Sequence, residues 1–392
     1  MNRAKKIMKN QGLGGVDKKK KKEADVSRKN KILLIIGIAL VLVLSLGICY
    51  IQFRPREILR VSGLDNSGAT VENKVYYKEA MYDIYTTETQ YNSYASLYAQ
   101  MYHSSSYWDA EDVDSAGRTG AQAAKKAVMD GLKQREILYM EALKNDMSLT
   151  DEEKKTISES AATAVSNLSD SQKRIAGLDE KTIAGVMEKQ ALADKYRQSV
   201  ISSLGIDEEA LKKTVSKKDY RQYTLQYYTF AKTEQKDGKE VDKDAATLKK
   251  AKSDMKALQK KAASAKDFTK DIITDSDTNN TDDNTGISYS TLDLLETNED
   301  FADDATRKKI KAMKNNAVSD VLETKDAYYV IKMVNNNDSE AYDNQCQQVV
   351  ADEQTSQFNT KYKNEIKINY RTEVQSYWRG RVTLGALTSG NE

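Results

Sequence analysis

The chemistry open to this chain is bounded first by a shortage. One histidine, His103, serves 392 residues. No histidine dyad or two-histidine metal site can therefore be built. His103 itself, in YAQMYHSSSYW, reads as a polar residue near a helix end. The two cysteines, Cys49 and Cys346, provide neither a Cys–His nucleophile nor a zinc cluster, and no Gly-rich phosphate loop is present. The stretch densest in hard-cation ligands is DSDTNNTDDNTG at 275–286. Counted from Asp275 it gives D-x-D-x-N, but Asn280 and Gly286 stand where an EF-hand loop needs Gly and a bidentate Glu. A solvated acidic loop accounts for it better than a weak cation site. No metal or cofactor is expected. Tyrosine is abundant instead, at 23 residues against 5 phenylalanines. Tyr77, Met81, Ile84, Tyr91, Tyr94, Tyr98 and Met101 recur at three- and four-residue steps and form one helical stripe. A stripe carrying Tyr91, Tyr94 and Tyr98 could bind extended peptides. By periodicity alone, a helix face packed on its neighbours is the commoner outcome.

These residues sit on a mostly helical chain. The sole proline is Pro55 and there are 18 glycines, so long uninterrupted helices are allowed. A linker is expected at 52–73, where VSGLDNSGATVEN supplies turn residues. A long helix then begins near Lys74. Further helices are expected at 121–145, from Asp151, at 179–204 and at 207–216. Thr150 and Glu153 form a T-x-x-E capping box in front of Asp151, and Gly205 stops the fourth helix. At Tyr220 the character changes. YTLQYYTFA, 223–231, reads as a strand. It is followed by a polar loop at 232–243 and a helix at 244–265 with Leu248, Ala251, Met255, Leu258 and Ala262 on one face. A short strand at 287–289, a loop with Leu292 and Leu295, a helix near 301–313 and a strand at 328–334 complete a small α+β block. A helix at 341–364 follows. Residues 366–378 alternate weakly, and the end from 387 reads as frayed.

The longest apolar run, ILLIIGIALVLVLSLGICYI, begins at Ile32 and ends at Ile51, without a charge. As a helix it spans about 30 Å, the hydrocarbon thickness of a bilayer. Residues 1–31 carry 12 Lys/Arg and a net charge of +9, leaving −7 for the rest. Positive flanks stay cytoplasmic, so the expectation is a single-pass membrane protein with its N-terminus inside and about 340 residues outside. A cleaved signal peptide would have a shorter core, roughly 7–15 residues, and an A-x-A-like site. Lipidation at Cys49 remains open, although Ile48 stands where a small residue is usual. The basic segment lies on the wrong side of the membrane for an exported nucleic-acid binder, so no nucleic-acid partner is expected.

Two stretches resemble the PrsA-type foldases and SurA-type chaperones, in which a parvulin-type prolyl isomerase module is set into a helical chaperone domain. The first is LKQREILYMEALKNDMSLTDEE, 132–153. The second is 223–334. There QYYTFAK is similar to the family's first strand, DF at 267–268 through SD at 276–277 to its "d-F…y-S-x-D", and GISY at 286–289 to its "G-x-L-G-x-F". FADDA at 301–305, AVSDVLET at 317–324 and AYYVIKM at 327–333 follow in the family's order. The resemblance implies active-site positions at Tyr228, Tyr329 and Thr278, where the family has two histidines and a Cys or Asp. It implies substrate-facing apolar residues at Leu295 and Phe301, with Tyr289 beside them. Tyrosine hydroxyls can donate and accept, so Tyr228 and Tyr329 could keep a reduced network; as core tyrosines they would mark a module without catalysis.

The expectation is a predominantly helical α+β chain. It comprises a basic tail (1–31), an anchor (32–51), a linker (52–73), a helical chaperone domain (74–218), a parvulin-like domain (219–336) and a C-terminal segment (337–392) returning to the helical domain. It would bind unfolded or newly exported polypeptides outside the membrane, with a weak or inactive isomerase module. Self-association as a homodimer is compatible with this reading. Two other classes stay open: an active prolyl isomerase, and a structural adaptor in an envelope or secretion complex.

Overall fold

A computed structural model describes residues 55–94, 97, 100–101, 106–269, 281–282 and 285–388. The expected anchor at 32–51, His103, Tyr98, Thr278 and most of the acidic loop lie outside the described residues. Among the described residues no helix is long and apolar enough to cross a membrane. The chain is α+β with helices predominating, and it divides into two compact units. One runs to Gln198 and resumes at Asn364; the other is Ser199–Lys363.

The first unit opens with a correction. The expected linker is a β-hairpin, β1 (Glu57–Leu64) and β2 (Thr70–Tyr76), paired antiparallel from Glu57↔Tyr76 to Leu64↔Thr70. Ile58, Leu59, Val61 and Val75 are buried, and Asp65 caps the turn, its Oδ1 accepting from the Ser67 and Ala69 amides at 2.8 and 2.9 Å. Helix α1 follows at once, Tyr77–Ser93, with Met81 and Ile84 buried. Next come α2 (Gly120–Lys144), α3 (Asp151–Ser166), α4 (Asp170–Ala176) and α5 (Glu180–Ser203). The Thr150–Glu153 capping box forms as its spacing requires: Thr150 Oγ1 accepts the Glu153 amide at 3.2 Å, and Glu153 Oε2 accepts the Thr150 amide at 2.7 Å.

The second unit begins with the end of α5 and the short α6 (Glu208–Lys212). Its main sheet starts with β3 (Gln222–Ala231). The polar stretch expected as a loop is a second hairpin, β4 (Thr233–Lys236) and β5 (Lys239–Asp242). Asp237 and Gly238 both hold positive φ, 54° and 72°, as a tight two-residue turn demands. Asp244 caps α7 (Ala245–Ser264) by accepting the Ala246 and Thr247 amides at 2.8 and 2.9 Å. The remaining elements are β6 (Thr281–Asp282), β7 (Ile287–Leu295), α8 (Asp304–Lys311), β8 (Leu322–Glu323), β9 (Ala327–Asp338) and α9 (Glu340–Lys361). Five strands order as β6-β7-β3-β9-β8. β7 is longer than expected and takes in the supposed loop at Leu292 and Leu295. One sheet face packs under α7, with Tyr228, Phe230, Met255, Phe268 and Val330 in its core. The other packs under α8, around Tyr223, Leu225, Leu294, Ile310, Ile331 and Met333.

The chain then returns to the first unit. β10 (Arg371–Val374) pairs antiparallel with β1, and α10 (Ser376–Arg381) buries Trp378. Beyond it Val382, Leu384 and Leu387 are buried, so residues 387–388 are fixed rather than frayed. Glu88 on α1 holds them. Its fully buried carboxylate accepts the Gly385 amide at 2.7 Å and the Thr388 amide and hydroxyl, each at 2.9 Å.

Removing that carboxylate strands buried donors, which costs about 1–3 kcal/mol. Glu88→Ala should lower stability by that amount in urea unfolding of the chain without its first 54 residues. Glu88→Gln, which keeps one acceptor oxygen, should cost less. Equal stability of all three proteins would show that Glu88 does not hold the C-terminal segment.

Candidate peptide-binding sites

Strand parity decides which tyrosines meet. Successive side chains of a strand face opposite ways. β3 pairs with β9 through Tyr227↔Ile331, Tyr228↔Val330 and Thr229↔Tyr329. Tyr329 therefore shares its face with Tyr227 and Thr229, and Tyr228 belongs to the other face. The structure does not bring Tyr228 and Tyr329 together. Tyr228 is fully buried under α7, its ring 5.0 Å from Phe268 and 5.4 Å from Tyr289, and its hydroxyl donates to the Phe268 carbonyl at 2.5 Å. Tyr289 belongs to that same core.

On the α8 face three half-buried rings form a triangle. Tyr227 and Phe301 lie 5.5 Å apart, Phe301 and Tyr329 5.4 Å, and Tyr227 and Tyr329 6.0 Å. Leu292 and Met313 adjoin them over the buried core. Each such aromatic pair contributes about 0.5–1.5 kcal/mol beyond the area it covers. Leu295 does not join; on β7 it has the opposite parity to Leu292 and Leu294 and lies in neither core cluster. Phe301 is positioned by its loop. Asn298 Oδ1 accepts the Asp300 amide at 2.8 Å and the Phe301 amide at 3.3 Å. The largely buried Arg307 guanidinium, on α8, donates to the carbonyls of Glu299, Phe301 and Ala302. Sequence reading missed Arg307 and Tyr227. A loop rich in acceptors three to eight residues before a helical arginine is the only signal that could have suggested the former.

The polar character of this face is slight. Burial raises the Tyr329 phenol, with Tyr227 adding to the rise, and a hydrogen bond from the Thr229 side chain opposes it. Tyr223 is pushed up to about 12 by burial, reinforced by the hydrogen bond it donates to Glu296 at 2.6 Å. These hydroxyls stay protonated at neutral pH. The triangle presents half-buried aromatic surface together with phenol groups able to donate a hydrogen bond.

The tyrosine stripe of the first unit is divided between packing and exposure, with Met101 as well as Tyr94 on the open side. Tyr91 stacks on Tyr107 at 4.7 Å and meets Trp108 edge-on at 5.8 Å, while Tyr94 ends α1 exposed. A second open apolar surface lies elsewhere in the unit. A cavity of about 300 Å³ opens where the tip of the β1–β2 hairpin meets the end of α2, lined by Leu64, Val71, Tyr139, Met140, Leu143 and Tyr370. Leu64, Val71 and Leu143 are 54%, 38% and 48% exposed. Glu141 braces the cavity's Tyr370 wall by accepting the phenol at 2.8 Å. Reading 52–73 as a linker hid two of these residues.

No protein-family model matches the chain, and no curated protein sequence does. Solved structures do. The foldase PrsA of Streptococcus pneumoniae is 16% identical over 60% of this chain and 79% of its own, with a TM-score of 0.28. PrsA of Lactococcus lactis is 14% identical over 64% and 85%, with a TM-score of 0.29. A SurA-like chaperone of Campylobacter jejuni, from work on PEB4 and Cj1289, is 12% identical over 64% and 88%, with a TM-score of 0.26. The chain is thus similar to PrsA- and SurA-type proteins at low superposition, and the chemistry of its sites rests on its own residues.

The raised phenols carry a pH signature. A group whose folded pKa lies above its unfolded value of 10.0 stabilises the fold fully below that pH and loses this contribution as pH rises through the folded value, about 12 for Tyr223. The second unit should therefore lose stability progressively between those pH values, its phenolate absorbance appearing with unfolding. Tyr223→Phe should make this alkaline loss shallower. A phenolate signal lost in Tyr223→Phe that titrates with its midpoint near pH 10 while the fold stays intact would contradict the burial described here.

Proposed function

We propose that the chain is a membrane-anchored extracytoplasmic foldase or chaperone that binds unfolded, newly exported polypeptides. In this reading residues 32–51 form the anchor, with the N-terminus cytoplasmic. The first unit, to Gln198 and from Asn364, forms the chaperone body, to which the hairpin at 57–76 contributes, and residues 219–336 of the second unit form a parvulin-like module. The open cavity beside Leu64, Val71 and Leu143, lined also by Asp65, Glu72, Asn73 and Lys144, carries the proposal. Clustered exposed aliphatic side chains beside an open cavity mark a binding surface. An extended apolar side chain fits its volume, and about 1.5–3 kcal/mol comes from covering each such residue.

The module is a second binding site and not a competent isomerase. Prolyl isomerisation crosses an amide barrier of about 18–20 kcal/mol without making a covalent bond. Lowering it requires an apolar seat for the ring and polar groups that favour the twisted amide. Tyr227, Phe301 and Tyr329 offer the seat. The polar groups are reduced to phenols and the Thr229 hydroxyl, and the module contains no histidine.

The test is aggregation of a reduced, unfolded client protein in the presence of the chain lacking its first 54 residues. The unmodified protein should suppress aggregation. Replacing Val71 and Leu143 together by Asp should raise the amount required by about tenfold or more, since apolar cover is lost at both positions. Both substitutions lie at exposed positions, so the fold should persist by circular dichroism. Equal suppression by the doubly substituted protein would remove the cavity from the account; no suppression by the unmodified protein would remove the chaperone reading.

A further inference from the structure

A second cavity of the first unit, about 720 Å³, is lined by Pro55, Arg56, Tyr76, Gln375, Tyr377 and Arg381, with Glu57, Ser376 and Gly380. Its lining is cationic and aromatic. Arg56 lies over the Tyr377 ring at 5.8 Å, and Tyr77 meets that ring edge-on at 5.3 Å. Arg379 and Arg381, in the last turn of α10, are exposed and join no ion pair among the described residues; Arg379 Nη2 donates to the Val374 carbonyl at 2.8 Å. The one carboxylate in the lining, Glu57, is engaged by Arg60 at 2.9 Å. Position along the chain supplies the second observation. Pro55 stands four residues beyond Ile51, the end of the apolar run. At no more than about 3.6 Å per residue, the cavity mouth lies within roughly 15 Å of the end of a spanning helix. The headgroup layer on each side of the hydrocarbon is about 5–8 Å deep. With residues 32–51 as a spanning helix, a tether this short keeps the cavity within reach of the lipid headgroups.

We infer that this cavity and the arginines of α10 form a docking surface for anionic phospholipid headgroups of the outer leaflet. The inference rests on residues 32–51 being an uncleaved anchor. A guanidinium pairs two N–H groups with two phosphate oxygens, and tyrosine beside arginine is the side-chain pairing suited to a membrane–water interface. Docking orients the first unit on the bilayer and keeps the Leu64–Leu143 cavity at a fixed height above it.

The experiment uses the full chain reconstituted into nanodiscs of phosphatidylcholine alone or with phosphatidylglycerol at three parts in ten, and reads amide hydrogen exchange of the segment 375–382. Exchange should be slower in the phosphatidylglycerol discs, roughly fivefold for each arginine engaged. The difference should shrink in Arg381→Gln and vanish when Arg379 is changed to Gln as well. It should also fall at high salt. Equal exchange in both discs would overturn the inference. So would protection in phosphatidylcholine discs brought about by added soluble poly(glycerol phosphate), which would assign the surface to a wall polymer instead. Failure of the full chain to co-elute with either disc would overturn the anchor reading itself, an outcome separable from the other two.

Discussion

Consecutive residues of a strand cannot face the same way, and the module's surface follows from that constraint. Tyr227 and Tyr228 are neighbours of identical chemistry with unlike surroundings. Tyr228 is sealed beneath α7 with its hydroxyl consumed by the Phe268 carbonyl. Tyr227 stands half-open beside Phe301 and Tyr329. The pairing of β3 with β9 fixes this assignment, and a slip of one residue would exchange the two roles and expose the core tyrosine. The aromatic triangle is therefore a consequence of register, held from the far side by Arg307, whose guanidinium gathers three carbonyls of the Phe301 loop.

The first unit depends on closure by the chain's end. β10 extends the β1–β2 sheet, and Glu88 receives Gly385 and Thr388. Residues far apart in sequence thereby make one body, and Ser199–Lys363 forms a unit of its own between its two parts. A buried carboxylate is expensive unless its oxygens are satisfied, and the three donors from the C-terminal segment satisfy it. The charged group around Arg135 is compensated only in part: Asp83 at 2.6 Å and Glu136 at 3.3 Å offset the guanidinium's burial, while Asp83 Oδ2 and Arg135 Nη2 are buried without a hydrogen-bond partner. Desolvation raises both carboxyls, and the neighbouring cations Arg135 and Lys189 oppose that rise.

The legible parts were those in which local chemistry and tertiary packing agree. Thr150–Glu153 announced a helix start, and the face Ala251, Met255, Leu258 and Ala262 announced the buried side of α7. The hairpin at 57–76 was hidden because its turn residues Asn66 and Gly68 resemble a linker, while its alternation shows only in Leu59, Val61 and Val75. β4 and β5 are nearly all polar, and only Asp237-Gly238 marked them. The triangle was illegible for a different reason. A run of two tyrosines leaves parity undetermined, and only the partner strand settles it. The exposed cavity at Leu64, Val71 and Leu143 combines residues from a supposed linker and a helix end, a juxtaposition that no local pattern encodes.

The claim at the centre of this account is that an aromatic seat without a histidine network binds peptide but does not isomerise it. The direct measurement is cis/trans isomerisation of a panel of short X-Pro peptides by the chain without its first 54 residues, beside Phe301→Ala. The account predicts the uncatalysed rate with both proteins, together with weaker retention of Pro-containing peptides by Phe301→Ala. Acceleration by the unmodified protein that Phe301→Ala abolishes would contradict it, and would make Tyr227, Phe301 and Tyr329 an active site.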